Sequence, residues 1–166
     1  MQRRHWLLTV LSSGALSACG FKLRNSQSFA FQTVAITPEK GSPIATDLIR
    51  YFGASVRPLT EKENSGAEVV MEIINESREK NVMGINSSGQ VREFQLKSRV
   101  RFRMKTPDGR ELIAPTEIVQ QRDISFNESA VLAKEAEEVL LYRDMQSDLL
   151  QQILRRLAAI KTITPA

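Results

Sequence analysis

Phe94-Gln95-Leu96-Lys97-Ser98-Arg99-Val100-Arg101-Phe102-Arg103-Met104-Lys105 is the stretch that decides the fold. Its even positions are Phe, Leu, Ser, Val, Phe and Met, and its odd positions are Gln, Lys, Arg, Arg, Arg and Lys. Side chains alternate across a strand, so a period of two this regular predicts a β-strand with one buried and one wet face. Pro107-Asp108-Gly109 follows as a hairpin turn, because proline presets φ and glycine takes the left-handed position. Pairing Thr106 with Arg110 sets Met104 opposite Leu112, Phe102 opposite Ala114, Val100 opposite Thr116 and Ser98 opposite Ile118. The same register sets Lys105 against Glu111 and Arg99 against Glu117. Pro115 lacks an amide donor and points to an edge position or a bulge.

Working outward, Glu68 to Asn75 is β-rich, with Val69, Met71 and Ile73 on one face and Val70 and Ile74 on the other. Asn86-Ser87-Ser88-Gly89 turns the chain between this segment and the alternating strand. Phe29 to Thr37 reads as a first strand that stops at Pro38, and Val56 to Leu59 as a short extended piece. Between them a helix begins with Ser42 as N-cap and Pro43 at its first position, runs with Ile44, Leu48 and Phe52 on one stripe, and stops at Gly53. Asn127 or Ser129 caps a last helix to about Ile160. Its apolar stripe is expected to be Leu132, Ala136, Val139, Tyr142, Met145, Leu149, Ile153, Leu157 and Ile160. The order is β-α-β-β-β-α. The expected fold is α+β, a two-layer sandwich with an antiparallel-rich four-stranded sheet and both helices packed on its apolar face.

The N-terminus carries a different signal. Arg3 and Arg4 precede an apolar run from Trp6 to Leu16, which ends in Leu16-Ser17-Ala18-Cys19. A charged n-region, a short apolar h-region and small residues before a cut site make a secretory signal. The run is too short for a bilayer span, which takes roughly 20 residues. The small-small-Cys ending resembles the lipobox of bacterial lipoproteins. That resemblance implies removal of residues 1–18 and lipidation of Cys19, by S-diacylglycerol and an N-acyl chain. Such acylation anchors a chain firmly, at about 0.8 kcal/mol per buried CH₂. Gly20 in the next position reads as release to the outer membrane. Residues 19–28 are then a lipidated tether, 29–161 a single domain, and 162–166 a frayed tail.

Cleavage removes 18 of 166 residues, leaving 148, and with Arg3 and Arg4 the formal charge falls from +4 to +2. Charge therefore gives no reason to expect nucleic acid. The chain has one His, His5 in the signal, and one Cys, Cys19. A mature acylated chain would hold neither imidazole nor free thiol. Ser-His-Asp and Cys-His catalysis, His or Cys zinc sites and disulfides are thereby excluded. No carboxylate pair or Ser-Lys pair stands out by spacing, so the expectation is a protein that is not an enzyme and needs no cofactor beyond its covalent lipid.

Three features can carry function. The basic stripe Lys97, Arg99, Arg101, Arg103 and Lys105 is either a solvated sheet face, as half-covered antiparallel sheets have, or a cationic surface for phosphates or an acidic partner. In the expected register only Glu111 and Glu117 oppose it. Val82-Met83-Gly84-Ile85-Asn86 is apolar at a sheet end; core packing is the plainer reading, and contact with acyl chains or a membrane protein is the other. Lys134, in Leu132-Ala133-Lys134-Glu135, sits slightly against the helix dipole and is either solvated or a headgroup contact.

Cys19-Gly20-Phe21-Lys22-Leu23-Arg24, Gly89-Gln90, Glu93-Phe94-Gln95-Leu96, Arg122-Asp123-Ile124-Ser125-Phe126-Asn127 and Leu132-Ala133-Lys134-Glu135 together resemble the LptE (RlpB) family of lipopolysaccharide-assembly lipoproteins. The resemblance runs from Cys19 to about Leu157. It implies a lipid-anchored protein on the periplasmic face of the outer membrane that partners an LptD-type β-barrel, supports its assembly and binds lipopolysaccharide. It also implies two helices on one face of a four-stranded sheet. Lys134 matches a family position tied to lipopolysaccharide contact. The second basic position falls where this chain has Ser87 and Ser88, with Arg92 nearby to take its place. The candidate lipopolysaccharide-binding residues are Arg92, Lys97, Arg99, Arg101, Arg103 and Lys134. A structural lipoprotein binding cell-wall polymer is the alternative, and a hydrolase without histidine a more distant one.

Overall fold

The alternating stretch forms the third of four strands in the structure, a computed structural model that describes residues 27–38, 40–58 and 66–163. The signal segment 1–18, Cys19, the tether through residue 26, the 59–65 linker and residues 164–166 lie outside the described residues. Strand β1 is Val34–Thr37, helix α1 Pro43–Phe52, β2 Val69–Ile85, β3 Val91–Lys105, β4 Glu111–Ser125 and helix α2 Val131–Ala158. The sheet order is β1-β2-β3-β4. β1 runs parallel to β2 through the α1 crossover, and the other two pairs are antiparallel hairpins. This is the expected α+β sandwich.

Along β3 the expected faces hold. Leu96, Ser98, Val100, Phe102 and Met104 are buried, while the odd positions stay partly or fully exposed. The main core sits between the sheet and the helices. Val34, Ile36, Val69, Met71, Val100 and Phe102 from the strands pack against Ile44 and Leu48 of α1 and Leu149, Ile153 and Leu157 of α2. A separate small cluster holds Leu96, Ile124 and Met145, with Phe94, Leu141 and Tyr142 around it.

Helix α1 starts as its sequence dictates. The Ser42 hydroxyl accepts from the Ala45 amide at 3.0 Å, and Gly53 ends the helix at φ +50°. The cap has a distant partner, because the Glu76 carboxylate accepts from the Ser42 hydroxyl at 2.6 Å and from the Ile44 amide at 3.3 Å. Acceptors at a helix N-terminus satisfy amides that have no intrahelical partner.

Four expectations are corrected. The first strand is only Val34–Thr37; Phe29 instead packs edge-on against Phe52 at 5.1 Å and Phe31 packs tilted against it at 5.8 Å. The second strand does not end at Asn75 but continues to Ile85, and a register shift between Ile73 and Asn75 leaves Ile74 outside the ladder. The β3–β4 register holds at Lys105 opposite Glu111 and then slips twice, so that Met104 meets Ile113 and Phe102 meets Thr116. Proline at 115 cannot donate to a ladder, and β4 is an edge strand, where such slips are tolerated.

The fourth correction concerns α2. Asn127 caps a short 3₁₀ turn, Glu128–Ala130, ahead of the helix. From Met145 to Leu157 the expected stripe is buried, joined by Leu154, and Ile160, beyond the end of the helix, is half-buried. Before Met145 the expected stripe is right at Tyr142, which is half-buried, and otherwise faces solvent, with Leu132 82% and Val139 61% exposed. The inward face there continues at helical spacing through Tyr142, Glu138 and Lys134. The sheet beneath presents Lys80 and Ser125, so polar helix residues meet polar strand residues.

Candidate functional site

Extending β2 changes the surroundings of the basic stripe. Residues paired across a ladder share a face. Glu79 therefore lies beside Lys97, Asn75 beside Arg101, and Glu72 beside Arg103. On the other flank Asp123, Glu117 and Glu111 lie beside Gln95, Arg101 and Lys105. Arg99 pairs with Glu79 at 3.0 Å and Arg103 with Glu72 at 2.8 Å. Five bases thus stand among five carboxylates, and Glu117 faces Arg101 rather than Arg99. Each pair is about a third exposed and contributes roughly 0–1 kcal/mol. Among the described residues, Lys97 and Arg101 have no ion-pair partner, and Arg101 is exposed. The acids of β2 were legible as residues but not as neighbours, because the strand was expected to end before Glu79.

The other candidates gather at the far end of the sheet, around the β2–β3 turn. Asn86 organises that turn, its side-chain oxygen accepting from the Ser88 and Gln90 amides at 3.0 and 2.9 Å. Gln90 then donates to the Glu128 carboxylate at 3.0 Å, tying the turn to the entrance of α2. The Arg92 carbonyl accepts from the Phe126 amide at 2.8 Å, and the Arg92 guanidinium reaches Gln90 at 3.3 Å. Next to this point the Lys134 ammonium donates to the Ser125 hydroxyl at 3.0 Å and pairs with Glu137 at 2.8 Å. Arg92 and Lys134, 42 positions apart in the chain, are thus brought to one end of the sheet.

That end is also apolar. Val82, Met83 and Ile85 are 52, 57 and 65% exposed, which overturns core packing as the reading of this segment. Leu132, in the first turn of α2, is 82% exposed. Ser87 and Ser88 form the turn tip and are exposed. One cation of this region was missed from sequence. Lys80 pairs with Glu138 at 2.6 Å and lies over the Phe94 ring at 4.3 Å.

Among the described residues no cluster of three or more His, Cys, Asp or Glu is placed to hold a metal ion. No helix among them is long and apolar enough to cross a membrane.

Residues 28–157 match the family model LptE, described as lipopolysaccharide-assembly. The LPS-assembly lipoprotein LptE of Photorhabdus laumondii is 26% identical over 163 residues, covering 95% of this chain and 88% of its own. That of Pectobacterium atrosepticum is 23% identical over 171 residues with the same coverage. Among solved structures, an uncharacterized lipoprotein B from Nitrosomonas europaea superposes with a TM-score of 0.68 at 40% identity, over 84% of this chain and 91% of that one. The rare lipoprotein B from Shewanella oneidensis, at 22% identity and a TM-score of 0.58, covers 76% of this chain and 92% of its own and shares the fold. The role of this family in lipopolysaccharide assembly is non-enzymatic and does not depend on a cofactor. With the family model spanning the whole sheet and nearly all of α2, this chain belongs to the LptE family of lipopolysaccharide-assembly lipoproteins.

Proposed function

We propose that this protein is anchored through an acylated Cys19 to the periplasmic face of the outer membrane, partners an LptD-type β-barrel, supports its assembly, and binds lipopolysaccharide on its way to the surface. The observation that carries the binding role is the end of the sheet that holds Arg92 and Lys134 together with exposed Val82, Met83 and Ile85. Cations beside apolar surface suit a ligand that carries phosphates on an acylated body, because guanidinium and ammonium groups make charge-assisted bonds to phosphate while acyl chains cover the apolar side chains. The basic stripe is a second candidate surface. Its carboxylates at Glu72 and Glu79 already hold Arg103 and Arg99.

The test uses the full acylated chain in detergent, titrated with lipopolysaccharide. Lys134→Glu and Arg92→Glu are each expected to lower affinity about tenfold, the order of one charge-assisted hydrogen bond. Arg101→Glu serves as the stripe variant. Arg99→Glu is unsuitable, since it would place a second carboxylate beside Glu79. A larger loss with Arg101→Glu moves the site to the stripe. Affinity unchanged in all three, with no large barrel recovered alongside the tagged protein and retention on isolated peptidoglycan, would establish the cell-wall lipoprotein instead.

A further inference from the structure

Strand β4 bounds one side of the sheet, and among the described residues no strand pairs with its outer edge. The Phe126 amide donates to the Arg92 carbonyl at 2.8 Å, which fixes the phase of the β3–β4 ladder. Bonded pairs recur at every second residue of an antiparallel ladder. The even residues from Thr116 to Ile124 therefore bond inward to β3, and Glu117, Val119, Gln121, Asp123 and Ser125 turn their amides and carbonyls outward. All five residues are exposed. Of these backbone groups only the Gln121 carbonyl has a side-chain partner among the described residues, accepting from Arg122 at 2.9 Å.

Edge strands are ordinarily blunted by proline, lysine, bulges or a covering element. Pro115 and the two register slips blunt residues 111–115. From Thr116 to Ser125 the register is unbroken, and Thr-Glu-Ile-Val-Gln-Gln-Arg-Asp-Ile-Ser holds no proline, glycine or lysine. About 30 Å of edge is thus left open, with donors and acceptors at strand spacing. An extended backbone is the chemistry that matches such a row.

The side chains narrow the choice. Glu117 and Asp123 stand on the face away from the helices, with Val119 and Gln121 between them. Glu117 has no ion pair or hydrogen bond from its side chain among the described residues, and the Asp123 carboxylate accepts only from the neutral Gln95 amide, at 3.2 Å. Antiparallel pairing with β4 of a second copy would gather four carboxylates on that face and bring no base to it, which opposes self-association.

We propose that the edge from Glu117 to Ser125 takes up, by strand addition, an extended segment of another protein that carries two basic residues six positions apart and an apolar residue at an alternate position between them. Its backbone completes the ladder, its bases meet Glu117 and Asp123, and its apolar side chain meets Val119. The two carboxylates repel phosphate-bearing ligands from the same edge. Strand addition here requires neither the lipopolysaccharide site nor the barrel partnership, so each stands or falls separately.

The test is photocrosslinking in cells that make the full chain, with a benzophenone side chain installed at position 121. The expected adduct maps, by mass spectrometry, to a segment of another protein with that spacing of bases. Val119→Pro removes an outward amide while leaving the bonds to β3, and is expected to lower the adduct about tenfold. Glu117→Lys combined with Asp123→Lys is expected to lower it by a similar factor through like-charge repulsion, whereas Val119→Ile retains it. Circular dichroism melting checks that each variant is folded, and the charge reversal decides the matter if the proline variant is not. An adduct to lipopolysaccharide or to a second copy of this chain, an adduct to a segment without the paired bases, an adduct indifferent to the folded variants, or no adduct from position 121 overturns the proposal.

Discussion

Tyr142 stands where the apolar core of this protein gives way to its charged end. Its hydroxyl donates to the Glu79 carbonyl at 2.9 Å, and its ring carries the Arg78 guanidinium. Burial pushes the phenol above its ordinary value of 10.0, the Glu138 carboxylate adds to the rise, and Arg78 opposes it. The sign follows directly. The unfolded chain releases this proton near 10.0 and the folded chain only at higher pH, so the contribution is whole below 10.0 and is lost as pH rises through the folded value. The chain has two tyrosines, so Tyr51→Phe leaves Tyr142 as the only one. In that variant the tyrosinate absorbance is expected to rise with a midpoint above 10.0, and a midpoint at or below 10.0 would show the phenol to be solvated. The inward position of Tyr142 is readable from helical spacing, whereas its partners are not. Glu79 lies 63 positions away, and nothing local links the two. Glu76 is a similar case. A glutamate in a charged run reads as solvated, yet it supports the Ser42 cap from 34 positions away.

At the scale of elements, the hairpin joining β3 and β4 shows how far local chemistry reaches. Thr106 donates to the Arg110 carbonyl and Gly109 to the Thr106 carbonyl, each at 2.9 Å, and Gly109 has φ +94°. An L side chain at that angle is strained by roughly 1–2 kcal/mol. Gly109→Ala is therefore expected to lower unfolding free energy by about that amount, with an unchanged urea m-value. No change in the urea midpoint would mean that the turn relaxes into another geometry. The turn, the first pair and both faces of β3 follow from adjacent residues and are legible. The later register is not, because Pro115 announces an irregularity without stating its length, and here the ladder slips twice. The length of β2 is hidden for another reason. Its second half has Glu76, Arg78 and Lys80 on the helix side, where a core-facing strand would be apolar, and their partners come from Ser42, Gln146 and Glu138. The first turns of α2 mislead in the mirror sense, since Val131, Leu132, Val139 and Leu140 are exposed while Lys134 and Glu138 point in.

Taken whole, the molecule has a firm pole and a soft one. The main cluster joins β1, both helices and the first half of β2, whereas the far half rests on Leu96, Ile124 and Met145 with their partly buried neighbours and on exposed ion pairs. Exposed pairs contribute little, so the far half is expected to open more readily than the main core, as binding regions commonly do. Phe29 and Phe31 pack at the firm pole, where the segment from the proposed anchor at Cys19 enters the domain. The β2–β3 turn lies at the other pole, a strand of 17 residues away, which is on the order of 50 Å. A domain anchored as proposed would therefore keep its attachment rigid while the proposed binding end adapts to a ligand. Native-state hydrogen exchange tests this division within single strands. Amides of residues 82–85 and 92–96 should exchange with a smaller opening free energy than those of residues 70–73 and 100–104. Met145→Ala, a truncation that costs about 2–4 kcal/mol in a packed site, should lower protection in the first group more than in the second. Uniform protection along β3, or equal losses in both groups, would show that the sheet opens only as one unit, and the adaptable binding end would then have no physical basis.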